Sequence, residues 1–338
     1  MKIQNNISLK SFNTFGIDVT AKYFCEITSV DELQELISSE IARNEKKLVL
    51  GGGSNILFTK DFEGLIIKNN IRGIEVLEEN DDILLVKSGS GEVWHNLVLW
   101  SISKNLGGIE NLSLIPGYVG AGPIQNIGAY GVEIKNVFEN LEATHIDTGE
   151  IRQFNFNDCK FGYRDSVFKN ELKSQYIITS VTLRLNKHPL FNTSYGAIET
   201  ELEKMGIRKL SVKTISDAVI RIRKSKLPDP AVIGNAGSFF KNPEVTKEKF
   251  SQLQSSYDKI AAYNLQNGNV KLAAGWLIEQ CGWKGKVVGN TGSHKDQALV
   301  LVNYGNATGE EIFSLATDIQ GSVKEKFGVE IEKEVNIA

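Results

Sequence analysis

The segment that most limits the fold is residues 115–131, IPGYVGAGPIQNIGAYG, which sets five glycines and two prolines among apolar residues. Such a stretch is poor helix and poor strand. Its apolar content favours burial, and irregular buried backbone leaves N–H and C=O groups that need partners. A second glycine turn, Gly51-Gly52-Gly53-Ser54-Asn55, follows directly on the apolar run 48–50. Successive N–H groups there, free of side chains at a sheet end, can form a concave anion site. Taken singly, such a turn is equally accounted for by the positive φ angles it supplies. Two of them together suggest a ligand with an extended diphosphate.

Two familiar phosphate folds do not account for these loops. Gly51 and Gly53 match the first two glycines of the dinucleotide fingerprint, but position 56 is Ile, and a strand instead of a helix is predicted to follow. The one Gly-Lys pair, Gly285-Lys286, continues into Val287 where a nucleotide P-loop needs Ser or Thr.

Periodicity predicts a strand over 23–27, then a helix opened by a Ser29 and Glu32 capping box with Leu33, Leu36, Ile37 and Ile41 on one face. Short strands are expected at 56–58, 65–67, 74–77 and 83–86, a helix over 92–105, a hairpin over 141–156 and a strand over 177–185. Helices are expected near 197–205 and 216–224, with a domain boundary near 220 before the Pro-Asp-Pro break at 228–230. The strongest later patterns run from Val270 to Cys281, with Gly282 as C-cap, and from Thr308, boxed with Glu311, to Phe327. At the end, Val329, Ile331, Val335 and Ile337 alternate with polar residues, the pattern of a half-buried strand.

The 338 residues carry 38 basic and 41 acidic side chains, a net charge of -3, which offers no broad field for nucleic acid. The basic run Arg221, Arg223, Lys224 and Lys226 is either a solvated face or a small phosphate site. No apolar h-region opens the chain and no stretch approaches the roughly 18 apolar residues of a membrane span. Cys25, Cys159 and Cys281, odd in number and far apart, fit buried reduced thiols of a cytoplasmic protein. His95, His145, His188 and His294 show no metal-ligand spacing, so no metal is expected.

Several motifs in order resemble the UDP-N-acetylenolpyruvoylglucosamine reductase (MurB) family, the UDP-N-acetylmuramate dehydrogenases of peptidoglycan precursor synthesis. These are GGGSN, the loop 115–131, FGYRDSVFK at 161–169, SKLPDPAVIGNAGSFFKNP at 225–243, KLAAGWLIEQCG at 271–282 and the terminal EKEV. The segment 191–206 is similar to the tyrosine loop of the family's longer class. Gly122 stands where the family more often has Ala, and the tail reads Glu-Lys-Glu-Val-Asn instead of Glu-Pro-Glu-Val-Arg, so that Lys333 and Asn336 depart from the pattern.

The resemblance implies an α+β fold: a vanillyl-alcohol-oxidase (PCMH) type FAD-binding domain of two subdomains, then a C-terminal α+β substrate-binding domain. It places the subdomains at 1–70 and 71–219, the substrate domain at 220–320, and at 321–338 a tail that returns to the flavin. It implies non-covalent FAD with NADPH as co-substrate, a monomer in the cytoplasm, and no membrane insertion or nucleic-acid partner. Hydride from flavin N5 would add to C3 of the enolpyruvyl ether and a proton to C2.

Cofactor contacts implied by the resemblance are Gly51, Gly52, Gly53, Ser54, Asn55, Pro116, Gly117, Gly120, Gln125, Asn126, Gly128, Ala129 and Tyr130. Arg164 would hold the substrate carboxylate, Ser238 would donate the proton, and Glu334 would assist protonation or orient the carboxylate and its water. From the residues alone, Arg164 is equally a surface partner of Asp165, Ser238 a turn residue after Gly237, and Glu334 a solvated edge acid. Tyr195, Lys226, Asn242, Tyr263, Lys284 and Gln297 match positions that bind the uridine diphosphate sugar. Two rivals share the same cofactor domain: an oxygen-using alcohol or sugar oxidase, and a flavin or nucleotide-sugar binder without turnover.

Overall fold

A computed structural model describes residues 1–194, 196–257, 259–265 and 267–338. The chain forms two compact units. The first comprises Met1–Ile7, Ala21–Gly52 and Glu63–Ser225, and the second Ser8–Thr20, Gly53–Phe62 and Lys226–Ala338.

The first unit is built on two sheets. In the four-stranded one the order is Ile3–Ser8, Thr20–Ile27, Phe62–Asn69, Lys47–Leu50, and the last two strands run parallel. Leu33, Leu36, Ile37 and Ala42, from the short helices Val30–Ile37 and Glu40–Asn44, pack with Cys25, Ile27, Leu65 and Ile67. The expected single helix breaks here at two adjacent serines. Ser38 Oγ donates back to the Gln34 carbonyl at 2.9 Å, and Ser39 Oγ accepts the Ala42 N–H at 3.2 Å, capping a new helix that takes Ile41.

The five-stranded antiparallel sheet has the order Ile151–Asn155, Phe138–His145, Tyr176–Asn186, Ile83–Gly89, Ile74–Glu79. Trp94, Leu97 and Val98 of the helix Trp94–Ser103 join its core. The helices Gly196–Lys204 and Val212–Lys226 form a smaller core of their own, against which Tyr130 packs.

In the second unit, Gly234–Ser238, Val300–Asn303, Thr291–Ser293 and Val287–Val288 make an antiparallel sheet. A smaller sheet has the order Glu244–Val245, Val270–Leu272, Ala262–Asn264. The pattern over 270–281 therefore divides. Val270 and Leu272 alternate inward on a strand, and helix covers Ala274–Gln280 alone. The helix Gly309–Phe327 has its reciprocal Thr308 and Glu311 box, with Gly328 left-handed at its end. At the terminus Val329, Ile331 and Val335 are buried as predicted, but the strand itself covers Asn336–Ile337, parallel to Ile56–Leu57, with an isolated antiparallel bridge from Lys333 to Phe240, and Ile337 is exposed.

Among the described residues no helix is long and apolar enough to cross a membrane, and no group of three His, Cys, Asp or Glu could hold a metal ion. The three cysteines are free, and burial pushes the Cys25 and Cys159 thiols up to about 11 and about 12.

Candidate functional site

The glycine turn begins where Lys47–Leu50 leaves its sheet. A Cβ on Gly52 would lie 2.9 Å from the Gly117 Cα, so the two predicted loops touch backbone to backbone at a point where no side chain fits. Lys68, a buried lysine in an apolar strand, donates its Nζ to the Gly51 carbonyl and lies 4.1 Å from the centre of the Tyr118 ring. Gly53 is buried with φ of 64°, a left-handed turn that favours glycine.

The donors of this turn are spare. Among the described residues, the backbone N–H groups of Gly52, Gly53, Ser54, Gly117 and Tyr118 donate to no protein acceptor. Half-buried N–H groups left this way, as at Gly52, Gly117 and Tyr118 within the first unit, form a ready site for an anion.

The long loop is secured around those free donors. Trp94 N–H donates to the Gly117 carbonyl at 3.0 Å, Val119 N–H to Glu92 at 2.9 Å and Gly120 N–H to Ser90 at 2.9 Å. Asn126 is fully buried and left-handed, with φ of 45°. Its amide donates to the Gly162 carbonyl at 2.8 Å and its Oδ1 accepts the Lys135 N–H at 3.2 Å, so its side chain braces the loop. Gly128 and Ala129 pair with Val132–Glu133 in a two-residue hairpin, while Pro116 is exposed and Gln125 half-buried.

Arg164 belongs to the same unit. It sits in a tight turn closed by the Gly162 N–H on the Asp165 carbonyl at 3.0 Å, and its own φ is 53°. Its Nη2 donates to the Gly128 carbonyl at 2.6 Å, which places the guanidinium against the loop 115–131. The Asp165 carboxylate takes the Asn170 amide at 2.9 and 3.0 Å.

The second unit holds Ser238 and Glu334. Ser238 ends its strand at an irregularity in the pairing with Val300–Asn303, where Gly237 has φ of 71° and donates its N–H to Asn235 Oδ1 at 2.9 Å. The next residues pair with the tail: Glu334 N–H donates to the Phe239 carbonyl at 2.8 Å, Phe240 bridges Lys333, and Lys241 N–H donates to the Glu332 carbonyl at 2.9 Å. Ser238 and Glu334 are thus brought together by two adjacent backbone runs. Asn336 then donates from both its backbone and its side chain to the Asn55 carbonyl, at 3.2 and 2.9 Å, seating the tail on the end of the glycine turn. Lys333 lies 4.6 Å from the Phe313 ring centre, and burial lowers its pKa.

Five of the predicted sugar-nucleotide residues, Lys226, Asn242, Tyr263, Lys284 and Gln297, are spread over this unit. Asn242 Oδ1 accepts the Ala274 N–H at 2.9 Å, capping the helix Ala274–Gln280, and Gln297 lies against Gly275 in its first turn. Tyr263 is exposed on a strand opposite Lys271, Lys226 is exposed, and Lys284 is ion-paired with Glu279 at 3.0 Å. Tyr195 lies outside the described residues. A cleft of 1170 Å³ between Phe15, Val232 and Tyr304 is lined by none of the predicted site residues.

Lys68, His95 and Arg223 contact the predicted cofactor loops or their ends without having been singled out for that part. A lysine inside the apolar strand Phe62–Asn69 was the available signal for the first. His95 carried no signal in the sequence, and Arg223 stood out only as a member of the basic run.

Comparison with known proteins supplies the chemistry. A family profile described as an FAD binding domain matches residues 21–155, and one described as the UDP-N-acetylenolpyruvoylglucosamine reductase C-terminal domain matches residues 229–338. The UDP-N-acetylenolpyruvoylglucosamine reductase of Flavobacterium johnsoniae is 52% identical over 100% of both chains. That of Amoebophilus asiaticus is 55% identical over 100% of this chain and 99% of its own. The crystal structure of the Thermus caldophilus reductase aligns with a TM-score of 0.70 at 23% identity, covering 100% of this chain and 99% of that one. The fold is thus the α+β, vanillyl-alcohol-oxidase type FAD domain followed by a C-terminal α+β domain, and the cofactor is FAD.

Proposed function

Because this chain belongs to the UDP-N-acetylenolpyruvoylglucosamine reductase family of flavin-dependent oxidoreductases, we propose that it reduces the enolpyruvyl ether of UDP-N-acetylglucosamine to UDP-N-acetylmuramate, with NADPH as reductant. One NADPH and one proton are consumed: a hydride adds at C3 of the ether, a proton adds at C2, and NADP⁺ leaves before the sugar enters.

The residues present fit the cofactor. The unaccepted N–H groups of Gly52, Gly117 and Tyr118 suit a diphosphate, and the bare contact of Gly52 on Gly117 leaves room for no side chain, with Gly53 and Ser54 next in the chain. Asn55, Pro116, Gly120, Gln125, Asn126, Gly128, Ala129 and Tyr130 would complete the cradle. FAD, when bound, supplies the hydride.

The chain's own groups supply the rest. Adding hydride to C3 builds negative charge on C2 and the conjugated carboxylate, and Arg164 holds that charge with a planar, permanently charged fork. Ser238 delivers the proton to C2. A serine hydroxyl is a weak acid, but an enediolate is strongly basic, and Glu334 orients the carboxylate and its water. Lys226 and Lys284 would meet the diphosphate of the sugar nucleotide, with Tyr195, Asn242, Tyr263 and Gln297 around the remainder. The observation that carries this reading is the pairing of the run after Ser238 with the tail that bears Glu334.

Anaerobic NADPH is expected to bleach the flavin absorbance, and the enolpyruvyl sugar to restore it with one equivalent of product. Rapid restoration by air with no response to the sugar would favour an oxidase, and ligand binding without bleaching a simple binder. The cradle has its own test: Gly52→Val forces a side chain against Gly117 and is expected to weaken FAD binding by about 10- to 100-fold, since overpacking costs about 1–3 kcal/mol. Titration of the apoprotein by flavin fluorescence measures it, and an unchanged Kd would remove Gly52 from the site.

A further inference from the structure

The basic run of the sequence is not uniform in the structure. Arg221, Lys224 and Lys226 are exposed, whereas Arg223 turns inward from the helix Val212–Lys226. Its Nε donates to the Leu114 carbonyl at 3.2 Å, and its guanidinium hydrogen-bonds the Tyr130 hydroxyl. Leu114 precedes the loop 115–131 and Tyr130 stands at its far end. Both are left-handed, with φ of 59° and 51°, a region that disfavours every residue but glycine. Strained residues at the two ends of one loop persist only where their surroundings hold them.

For Leu114 that hold comes from two sides. Its carbonyl is taken by Arg223, and its N–H donates to His95 Nδ1 at 3.0 Å, from the helix Trp94–Ser103. At the other end the Tyr130 carbonyl accepts the Asn111 amide at 3.0 Å. We propose that Arg223 is a positioning residue for the cofactor: one guanidinium ties the entry of the loop to its exit, His95 completes the clamp at Leu114, and the loop's donors are thereby preorganised for the FAD diphosphate. The proposal rests on the reading that residues 115–131 hold the cofactor.

The chemistry of both side chains suits the task. A planar guanidinium donates to two acceptors in different directions, which a lysine ammonium on one flexible stem does not reproduce. His95 accepts at Nδ1 and must therefore be neutral, with its proton on Nε2. Burial first, then the charges of Arg223 and Lys224, hold its pKa below the ordinary 6.5, and no carboxylate offsets them among the described residues. A lowered pKa makes the clamp fully stable above about pH 6.5 and weakens it as the pH falls below that value through the depressed pKa.

The test is FAD affinity of the apoprotein, followed by flavin fluorescence from about pH 7.5 to about pH 5.5, where histidine titrates. Arg223→Ala is expected to raise the Kd by about 10- to 100-fold, the worth of charge-assisted hydrogen bonds, and Arg223→Lys not to recover it. Wild-type Kd is expected to rise on acidification by up to about tenfold per pH unit, and His95→Gln, which keeps an acceptor but cannot titrate, to flatten that rise. A merely structural arginine would leave no pH dependence for His95→Gln to remove. If Gly52→Val loses FAD while Arg223→Ala binds it normally, the clamp is overturned and the loop reading stands; if both bind normally, the loop reading falls with it. Should Arg223→Ala fail to fold, His95→Gln decides alone: a pH profile identical to wild type overturns the proposal.

Discussion

Ser238→Ala is expected to leave reduction of the enzyme by NADPH at its wild-type rate and to slow its reoxidation by the enolpyruvyl sugar by about 10² to 10⁴, the usual worth of a positioned proton donor. The expectation follows from where Ser238 sits. The ladder shifts register between Asn235 and Ser238, and Ser238, paired with Val300, is the last residue of its strand before the chain passes into the run that pairs with the tail. Gly237, left-handed and held by Asn235, sets the turn just before it. Removing one hydroxyl from a half-buried position disturbs little packing, so the loss belongs to chemistry and not to folding. Stopped-flow absorbance separates the two half-reactions. Equal slowing of both would assign Ser238 to general site structure, and unimpaired reoxidation would move the proton donor elsewhere.

What was legible in the sequence was local. The glycine turn after 48–50, the hairpin over 141–156 and the Thr308 and Glu311 box all depend on residues a few positions apart, and each stands in the structure. The failure of the Rossmann and P-loop patterns was equally local, and it left room for the fold that the family comparison establishes. The misreadings have two causes. Apolar residues at 270, 272, 274, 277 and 278 satisfy a helical period until Val270 and Leu272 are needed by a strand, and sheet neighbours far along the chain decide that need. The break between Ser38 and Ser39 shows the opposite: two side-chain hydrogen bonds override a continuous apolar face.

The segments Ser8–Thr20 and Gly53–Phe62 join the second unit through partners that no local pattern announces. Thr14 Oγ1 donates to the Asn235 carbonyl at 2.6 Å, Asn303 Nδ2 to Phe15 at 2.9 Å, and the tail pairs with Ile56 and Leu57. The candidate site divides in the same way. Its residue types came from motif resemblance, but the bracing of the loop 115–131 by Asn126, His95 and Arg223, and of the glycine turn by Lys68, is long-range and became visible in three dimensions alone.

Arg164 supplies the second large effect. Its guanidinium donates to the Gly128 carbonyl, so the residue proposed to hold the substrate carboxylate also fastens the loop 115–131. Arg164→Ala is expected to lower the rate of sugar reduction by about 10² to 10³, the typical cost of removing one preorganised donor to developing negative charge. Arg164→Lys should recover part of that loss at most, because an ammonium keeps the charge but not the fork that meets a carbonyl and a carboxylate together. Its left-handed backbone adds a constraint in the same direction, since a replacement must hold φ near 53° without the Gly128 contact that anchors it. The two roles separate under saturating FAD. If Arg164 acts on the substrate, reduction by NADPH stays near wild type while reoxidation by the sugar remains slow at any FAD concentration. If its part is confined to the loop, added FAD restores both half-reactions together, and the carboxylate contact must be sought in another residue.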